Sequence, residues 1–235
     1  MKVLIFGGNG GIGRSLCQNL MSRYTDIDLH ATYHIKKPED LSDNITWHHV
    51  DITTEAAIKN LASQFSVLDL LINTVGVLHT PNHGPEKSLP SCQTDFFLHN
   101  MAVNALPTLM MAKHFASSLR VSNQPKFATL SAKVGSIKDN RLGGWYSYRS
   151  SKAALNMLIK NISIEWARHM PKACILSIHP GTTDTALSRP FQANVPPQKL
   201  FSPDKVADDI LSLIERATPE CSGRFFAYDG QELPW

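Results

Sequence analysis

The pentapeptide Lys2-Val3-Leu4-Ile5-Phe6, apolar after its first residue, runs directly into Gly7-Gly8-Asn9-Gly10-Gly11-Ile12-Gly13, and a helical pattern begins inside that run. Five of the chain's thirteen glycines fall within these seven positions. A strand that turns through glycines into a helix lets the backbone approach a ligand closely and leaves unpaired N–H groups aimed at an anion. The stretch therefore predicts a βα unit whose loop suits a pyrophosphate. Its spacing, Gly7-x-x-x-Gly11-x-Gly13, differs from G-x-G-x-x-G, so taken alone it is a weak signal, with a tight turn that holds no ligand as the alternative.

The same alternation continues along the chain. Short apolar runs at 2–6, 28–33, 44–50, 68–73, 126–131, 173–179 and 224–228 are separated by segments of helical period at 12–22, 54–64, 93–120, 147–169 and 203–216. Such alternation belongs to a parallel sheet with helices on both faces, and right-handed crossovers leave few topologies for it. The expected fold is a single α/β domain over 1–235, a Rossmann-type, doubly wound sheet of seven parallel strands in the order 3-2-1-4-5-6-7. In the fourth helix Leu155, Leu158, Ile159, Ile162 and Trp166 keep helical spacing until Pro171 stops it, and Ser202-Pro203 opens the last helix. Residues 181–202 are long and irregular, with Pro190, Pro196 and Pro197 among Leu187, Phe191 and Val195, and are expected to form a substrate lid.

Composition narrows the function classes. A length of 235 residues with 43% hydrophobic and 18% charged residues describes one ordinary globular core. A net charge of +3 without a basic stripe argues against nucleic acid or an anionic membrane as partner. No apolar run approaches the roughly 20 residues needed to span a bilayer, and no leader pattern opens the chain, so a cytoplasmic location is expected. Cys17, Cys92, Cys174 and Cys221 are far apart and form no C-x-x-C pair, as expected of reduced thiols. The histidines, among them the adjacent His48-His49 and the loop residues His79 and His83, show no converging ligand set, so no metal is expected. A serine hydrolase elbow, G-x-S-x-G, is missing.

Chemistry enters at Trp145-Tyr146-Ser147-Tyr148-Arg149-Ser150-Ser151-Lys152. Tyr148 and Lys152 lie four apart at the start of a predicted helix and so share one face. An ammonium beside a phenol favours the phenolate and draws its pKa down from about 10, which makes a tunable acid and base. Tyr146 is the weaker candidate, because four residues on it meets Ser150.

Together these features resemble the short-chain dehydrogenase/reductase family over essentially the whole chain. Gly7, Gly11 and Gly13, with Ile12 between them, match its glycine motif, although Phe6 stands where the family commonly has Thr. Asp51 matches its adenine-contacting Asp. Asn73-Thr74-Val75-Gly76 is a relaxed form of N-N-A-G, in which Asn73 and Gly76 carry over. Asn104 matches the Asn of the catalytic tetrad, and Tyr148 and Lys152 match its Y-x-x-x-K pair. Pro180, Gly181, Thr183 and Thr185 fall in Pro180-Gly-Thr-Thr-Asp-Thr185, similar to the segment that holds the nicotinamide carboxamide. The stretch 135–156 and the ending 228–235 further resemble a subgroup named after a bacterial cell-to-cell signalling protein, the C-factor. One departure concerns the catalytic serine. The family pattern S-S-x-x-G is met here by Ser131-Ala132-Lys133-Val134-Gly135, so Ser131 is the nearest hydroxyl and Ser136 the second candidate.

The resemblance implies hydride transfer between a nicotinamide cofactor and a small carbonyl or alcohol, with Tyr148 as acid/base. It also implies a homodimer or homotetramer assembled through the long helices. At the end of the second strand an NAD-preferring site would carry an acidic residue, whereas this chain has Tyr33-His34 with Lys36 and Lys37 behind, so NADP(H) is expected over NAD(H). The competing reading is a dinucleotide-binding signalling or sensing protein with a vestigial reductase site, to which the Ala132 departure also points.

Overall fold

The computed structural model describes residues 1–39, 41 and 44–235. Its elements run β1 (Lys2–Phe6), α1 (Gly11–Arg23), β2 (Asp28–Tyr33), β3 (Ile45–His49), α2 (Glu55–Ala62), β4 (Leu70–Asn73), α3 (Thr94–Asn104), α4 (Leu106–Val121), β5 (Lys126–Leu130) and α5 (Tyr146–His169). They continue with β6 (Cys174–His179), β7 (Thr182–Thr183), β8 (Leu200–Phe201), α6 (Pro203–Arg216) and β9 (Arg224–Ala227). Seven strands form one sheet in the order β3-β2-β1-β4-β5-β6-β9, every pairing parallel, as the sequence pattern predicts.

β1 explains why the sheet is covered twice. Its side chains alternate, so Val3 and Ile5 join α1 and α6 through Leu16, Leu20, Ile210 and Ile214, while Leu4 and Phe6 meet α2, α4 and α5 through Ile58, Phe115 and Ile159. Val3, Leu4, Ile5 and Phe6 are all fully buried. Each buried side chain of this size stabilises the fold by about 1.5–3 kcal/mol. A central strand with two apolar faces is stable only between two helical layers.

The predicted helix 93–120 is two helices. α3 ends at Asn104, Ala105 leaves regular geometry at φ −112° and ψ −58°, and α4 begins at Leu106. Pro107 is the cause, because it lacks an N–H and its ring excludes the carbonyl four residues back. The break leaves Asn104 at a helix C-terminus beside the ends of the strands. Residues 181–202 are cinched at their base by β7 and β8, where Thr182 pairs with Leu200 and Thr183 with Phe201, and they hold short 3-10 turns at Arg189–Phe191 and Pro197–Lys199. Ser202 caps α6 as expected, its hydroxyl accepting from the Lys205 N–H at 3.2 Å.

Candidate active site

A cleft of about 750 Å³ lies over the C-terminal ends of β1, β2 and β4. Its floor is the glycine loop, with Gly7, Gly11, Ile12 and Gly13 all lining it. Two of these glycines are required by close approach. A Cβ on Gly13 would sit 2.2 Å from the Gly7 carbonyl oxygen, and one on Gly11 would sit 2.5 Å from the Thr185 methyl group. α1 starts in this loop with no side-chain cap and no acidic residue in its first turn. Its first N–H groups are thus left for an anion, and the positive end of the helix dipole points the same way. A glycine loop with no room for a Cβ at Gly11 or Gly13, ending at an uncapped helix N-terminus, fits a dinucleotide pyrophosphate.

At one end of the cleft stand His34 and Asp51. His34 stacks on His49 with ring centroids 6.3 Å apart. The Asp51 carboxylate accepts from the Thr53 hydroxyl at 2.6 Å and the Thr53 N–H at 2.9 Å, which hold it below the usual carboxylate range. Beside this end, Asn9, Arg14, Lys36, Lys37 and Glu39 line a recess of about 360 Å³. Arg14 was not anticipated from the sequence, although it follows Gly13 directly. Asn9 belongs to both cavities.

At the other end Gly76 lines the cleft, and behind it lie Asn104 and Lys152. A Cβ on Gly76 would stand 3.3 Å from Asn104 Oδ1 and 3.4 Å from Lys152 Nζ. The Asn104 amide accepts from the Val77 N–H at 2.7 Å, returns a bond to the Val77 carbonyl at 2.9 Å, and donates to Ser151 Oγ on α5 at 2.9 Å. Lys152 Nζ donates to the Leu130 carbonyl at 2.9 Å and lies 5.8 Å from the centre of the Tyr148 ring. Both groups are buried, Tyr148 with 7% and Lys152 with 3% of its surface exposed. Burial pushes the Tyr148 phenol above its ordinary value and the Lys152 ammonium down to about 8. This corrects the expectation that the lysine draws the phenol down. In a site this dry, desolvation of each charged form outweighs their mutual attraction.

Several expected site residues make contacts within the scaffold. Asn73 is buried, donating from Nδ2 to Thr108 Oγ1 at 3.0 Å and accepting from the Val75 N–H at 3.1 Å, so it shapes the 74–76 turn from behind. In the 180–185 segment, Thr185 lines the cleft. Thr183 Oγ1 points back at the Pro180 carbonyl, 3.5 Å away, and Gly181 sits at φ +74° against Phe201 and Tyr228. Ser131 is the main correction. Its hydroxyl donates to Asn156 Oδ1 at 2.7 Å, an acceptor shared with the Ser177 hydroxyl at 2.8 Å, inside the layer between sheet and α5. Strand alternation turns Ser131 inward and leaves Ala132 on the opposite face. Ser136 is also buried, and its Oγ accepts from the Asp139 N–H at 3.1 Å.

An aromatic group that sequence spacing did not reveal stands next to Tyr148. The Trp145 ring lies 6.3 Å from the Tyr148 ring and 5.4 Å from the Phe191 ring, and Phe191 lies 5.7 Å from His79. These side chains come from three separate segments, so only tertiary structure joins them.

Comparison with known proteins agrees with this geometry. The family model described as short chain dehydrogenase matches residues 1–196. The chain is 33% identical over 169 residues to C-signal of Myxococcus xanthus, covering 72% of this chain and 93% of that protein. It is 28% identical to 1-hydroxy-2-glutathionyl-2-methyl-3-butene dehydrogenase of Rhodococcus sp. (strain AD45), covering 99% of both. Among solved structures, NADPH-bound carbonyl reductase from chicken fatty liver superposes with a TM-score of 0.86 at 23% identity, covering 100% of this chain and 98% of that one, a likeness of fold. A short-chain dehydrogenase/reductase from Burkholderia multivorans with bound NADP superposes at 0.81 with 25% identity, covering 100% and 99%. No helix among the described residues is long and apolar enough to cross a membrane. With its glycine cradle, its buried Tyr148–Lys152 pair and a family match over most of its length, the chain belongs to the short-chain dehydrogenase family and is an NAD(P)-dependent oxidoreductase.

Proposed function

We propose that this protein is an NADP(H)-dependent carbonyl reductase or alcohol dehydrogenase that acts on a small carbonyl or alcohol, with Tyr148 as acid/base. The observation that carries this reading is the buried Tyr148–Lys152 pair set one helical turn apart behind the Gly76 edge of the dinucleotide cleft. A bound nicotinamide supplies or accepts hydride there. In the reducing direction the Tyr148 hydroxyl holds the substrate oxygen and gives up its proton as negative charge grows on that oxygen. The raised phenol pKa keeps that proton on Tyr148 until it is needed. Lys152 faces the developing tyrosinate as a cation, and Asn104 fixes the 76–77 turn and α5 against each other through Val77 and Ser151. With the Ser131 hydroxyl donating to Asn156, this reading places Tyr148 as the donor to the substrate oxygen, with Ser136, whose hydroxyl accepts from the Asp139 N–H, as the second candidate.

The recess formed by Arg14, Lys36 and Lys37 next to His34 supports NADP(H), since a 2′-phosphate needs cations near the end of β2. Glu39 in the same recess pairs with Lys36 at 3.4 Å. The lid 181–202 closes the substrate end, with Leu187 lining the cleft and Phe191 against Trp145 and His79. Exposed Leu98, Leu106, Met157 and Ile164 on α3, α4 and α5 favour a homo-oligomer, measurable by light scattering. The test of the activity is a hydride-transfer assay over a broad carbonyl panel with NADPH and NADH. Tyr148→Phe should lower turnover by about 10²–10⁴-fold, the usual worth of positioned proton transfer, with NADPH affinity retained. The inward Ser131 favours one second reading, a dinucleotide-binding signalling protein with a vestigial site. That reading stands if no carbonyl in the panel is turned over while NADPH still binds.

A further inference from the structure

Among the described residues Glu86 is the only buried carboxylate, with 4% of its surface exposed, and no step above uses it. It lies in the loop between β4 and α3, yet its contacts are with the start of α5. The carboxylate accepts from the Ser147 N–H at 3.1 Å and from the Ser147 hydroxyl, while its backbone carbonyl accepts from the Trp145 N–H at 2.5 Å. The segment it grips is unusual. Gly143, Gly144 and Trp145 have φ of +61°, +64° and +52°, and Trp145 is the one non-glycine residue at positive φ among the described residues. A left-handed tryptophan persists only where its surroundings over-determine it. Gly144 needs its positive φ, and a Cβ on it would stand 3.4 Å from the Glu86 carbonyl oxygen, an ordinary contact that places the Glu86 backbone beside this turn. α5 has no acidic residue in its first turn and no side-chain cap of its own, and Glu86 supplies both the acceptor and the negative charge from outside the helix.

We propose that Glu86 is a positioning residue: it clamps residues 143–147 so that the left-handed Trp145 stands as a wall of the substrate site beside Tyr148. Tyr148 is the third residue of α5, so the geometry of the first turn sets where its hydroxyl lies. The same clamp places the Trp145 ring between Tyr148 and Phe191 of the lid. The proposal rests on the reading of Tyr148 as acid/base, and its test has one arm independent of turnover.

Glu86→Ala and Glu86→Gln are compared in the full-length protein. Glutamine keeps an acceptor for the Ser147 N–H and a polar contact for its hydroxyl, whereas alanine keeps neither. Glu86→Ala is expected to lower turnover of the best panel carbonyl at least tenfold and to raise its KM, with NADPH dissociation unchanged, and Glu86→Gln is expected to restore turnover to within threefold of the parent. The independent arm is the emission of Trp145, isolated by subtracting the matching Trp145→Phe protein. It should move to longer wavelength in Glu86→Ala as the ring loses its place between Tyr148 and Phe191. If Glu86→Ala loses only stability, with Trp145 emission and the kcat and KM values of the parent, the proposal is overturned. If the parent turns over no carbonyl, the acid/base reading fails while the emission still decides the clamp. Should Glu86→Ala not fold, Ser147→Ala removes the hydroxyl that donates to the same carboxylate and is read by the same two measurements.

Discussion

Lys152→Met should make the dinucleotide-free protein more stable at neutral pH while destroying its activity. Lys152 is nearly inaccessible and its ammonium is held down to about 8, against an ordinary value of about 10.4 in an unfolded chain. Below pH 8 both states carry the proton, so the native state bears the full penalty of burying the charge. Between about pH 8 and 10.4 the native state has released the proton and the unfolded state still binds it. Stability therefore rises with pH through that window, by a total of about 3 kcal/mol at 1.36 kcal/mol per pH unit. Methionine removes the charge and with it this dependence, but it also leaves the Leu130 carbonyl without its 2.9 Å donor, a loss of about 1 kcal/mol. The variant should then be about 2 kcal/mol more stable than the parent at pH 7, and its advantage should vanish and reverse by about pH 10. Tyr148 acts in the opposite sense. Its raised pKa lets the unfolded chain lose a proton first above about pH 10, which lowers stability there, but it does so in both proteins and cancels in the difference. Urea unfolding of both proteins at pH 7, 8, 9 and 10 measures the effect. A stability difference that stays constant over that range would refute the reasoning, because it would mean that the buried lysine does not titrate in the window its burial demands.

Ser131→Ala should leave turnover within about threefold of the parent and lower stability by about 1–2 kcal/mol, since it removes one of two hydroxyls on the buried Asn156 oxygen; kinetics and urea unfolding together check this. Gly13→Ala gains roughly 1 kcal/mol of helix propensity but places a Cβ on the Gly7 carbonyl, so NADPH affinity by fluorescence titration should fall at least tenfold. Arg14→Ala should raise the KM for NADPH more than that for NADH, narrowing the ratio between the two coenzymes; an unchanged ratio would remove Arg14 from the 2′-phosphate recess. Phe191→Ala should change relative turnover across the carbonyl panel while leaving NADPH affinity alone, because its ring contacts are with Trp145 and His79.

The sequence by itself determined the sheet order, the double helical cover and the dinucleotide cradle. Each rests on a pattern local in the chain: apolar alternation in β1, helical spacing in α5, glycines between strand and helix. Backbone periodicity and steric exclusion act over a few residues, so a few residues suffice to reveal them. The Tyr148–Lys152 pair was legible for the same reason. The break at Ala105 was also written locally, in Pro107, but the apolar spacing on both sides of it masked the proline. What only tertiary structure decided are the relations between segments distant in the chain. Ser131 turns to Asn156 rather than to the cleft because β5 and α5 enclose it, and the Tyr148 pKa rises because the packing that surrounds it excludes water. Trp145 meets Phe191 and Glu86 meets Ser147 across tens of residues. Burial and encounter are properties of packed surfaces, and the free energy of a charge or a hydrogen bond depends on what those surfaces exclude.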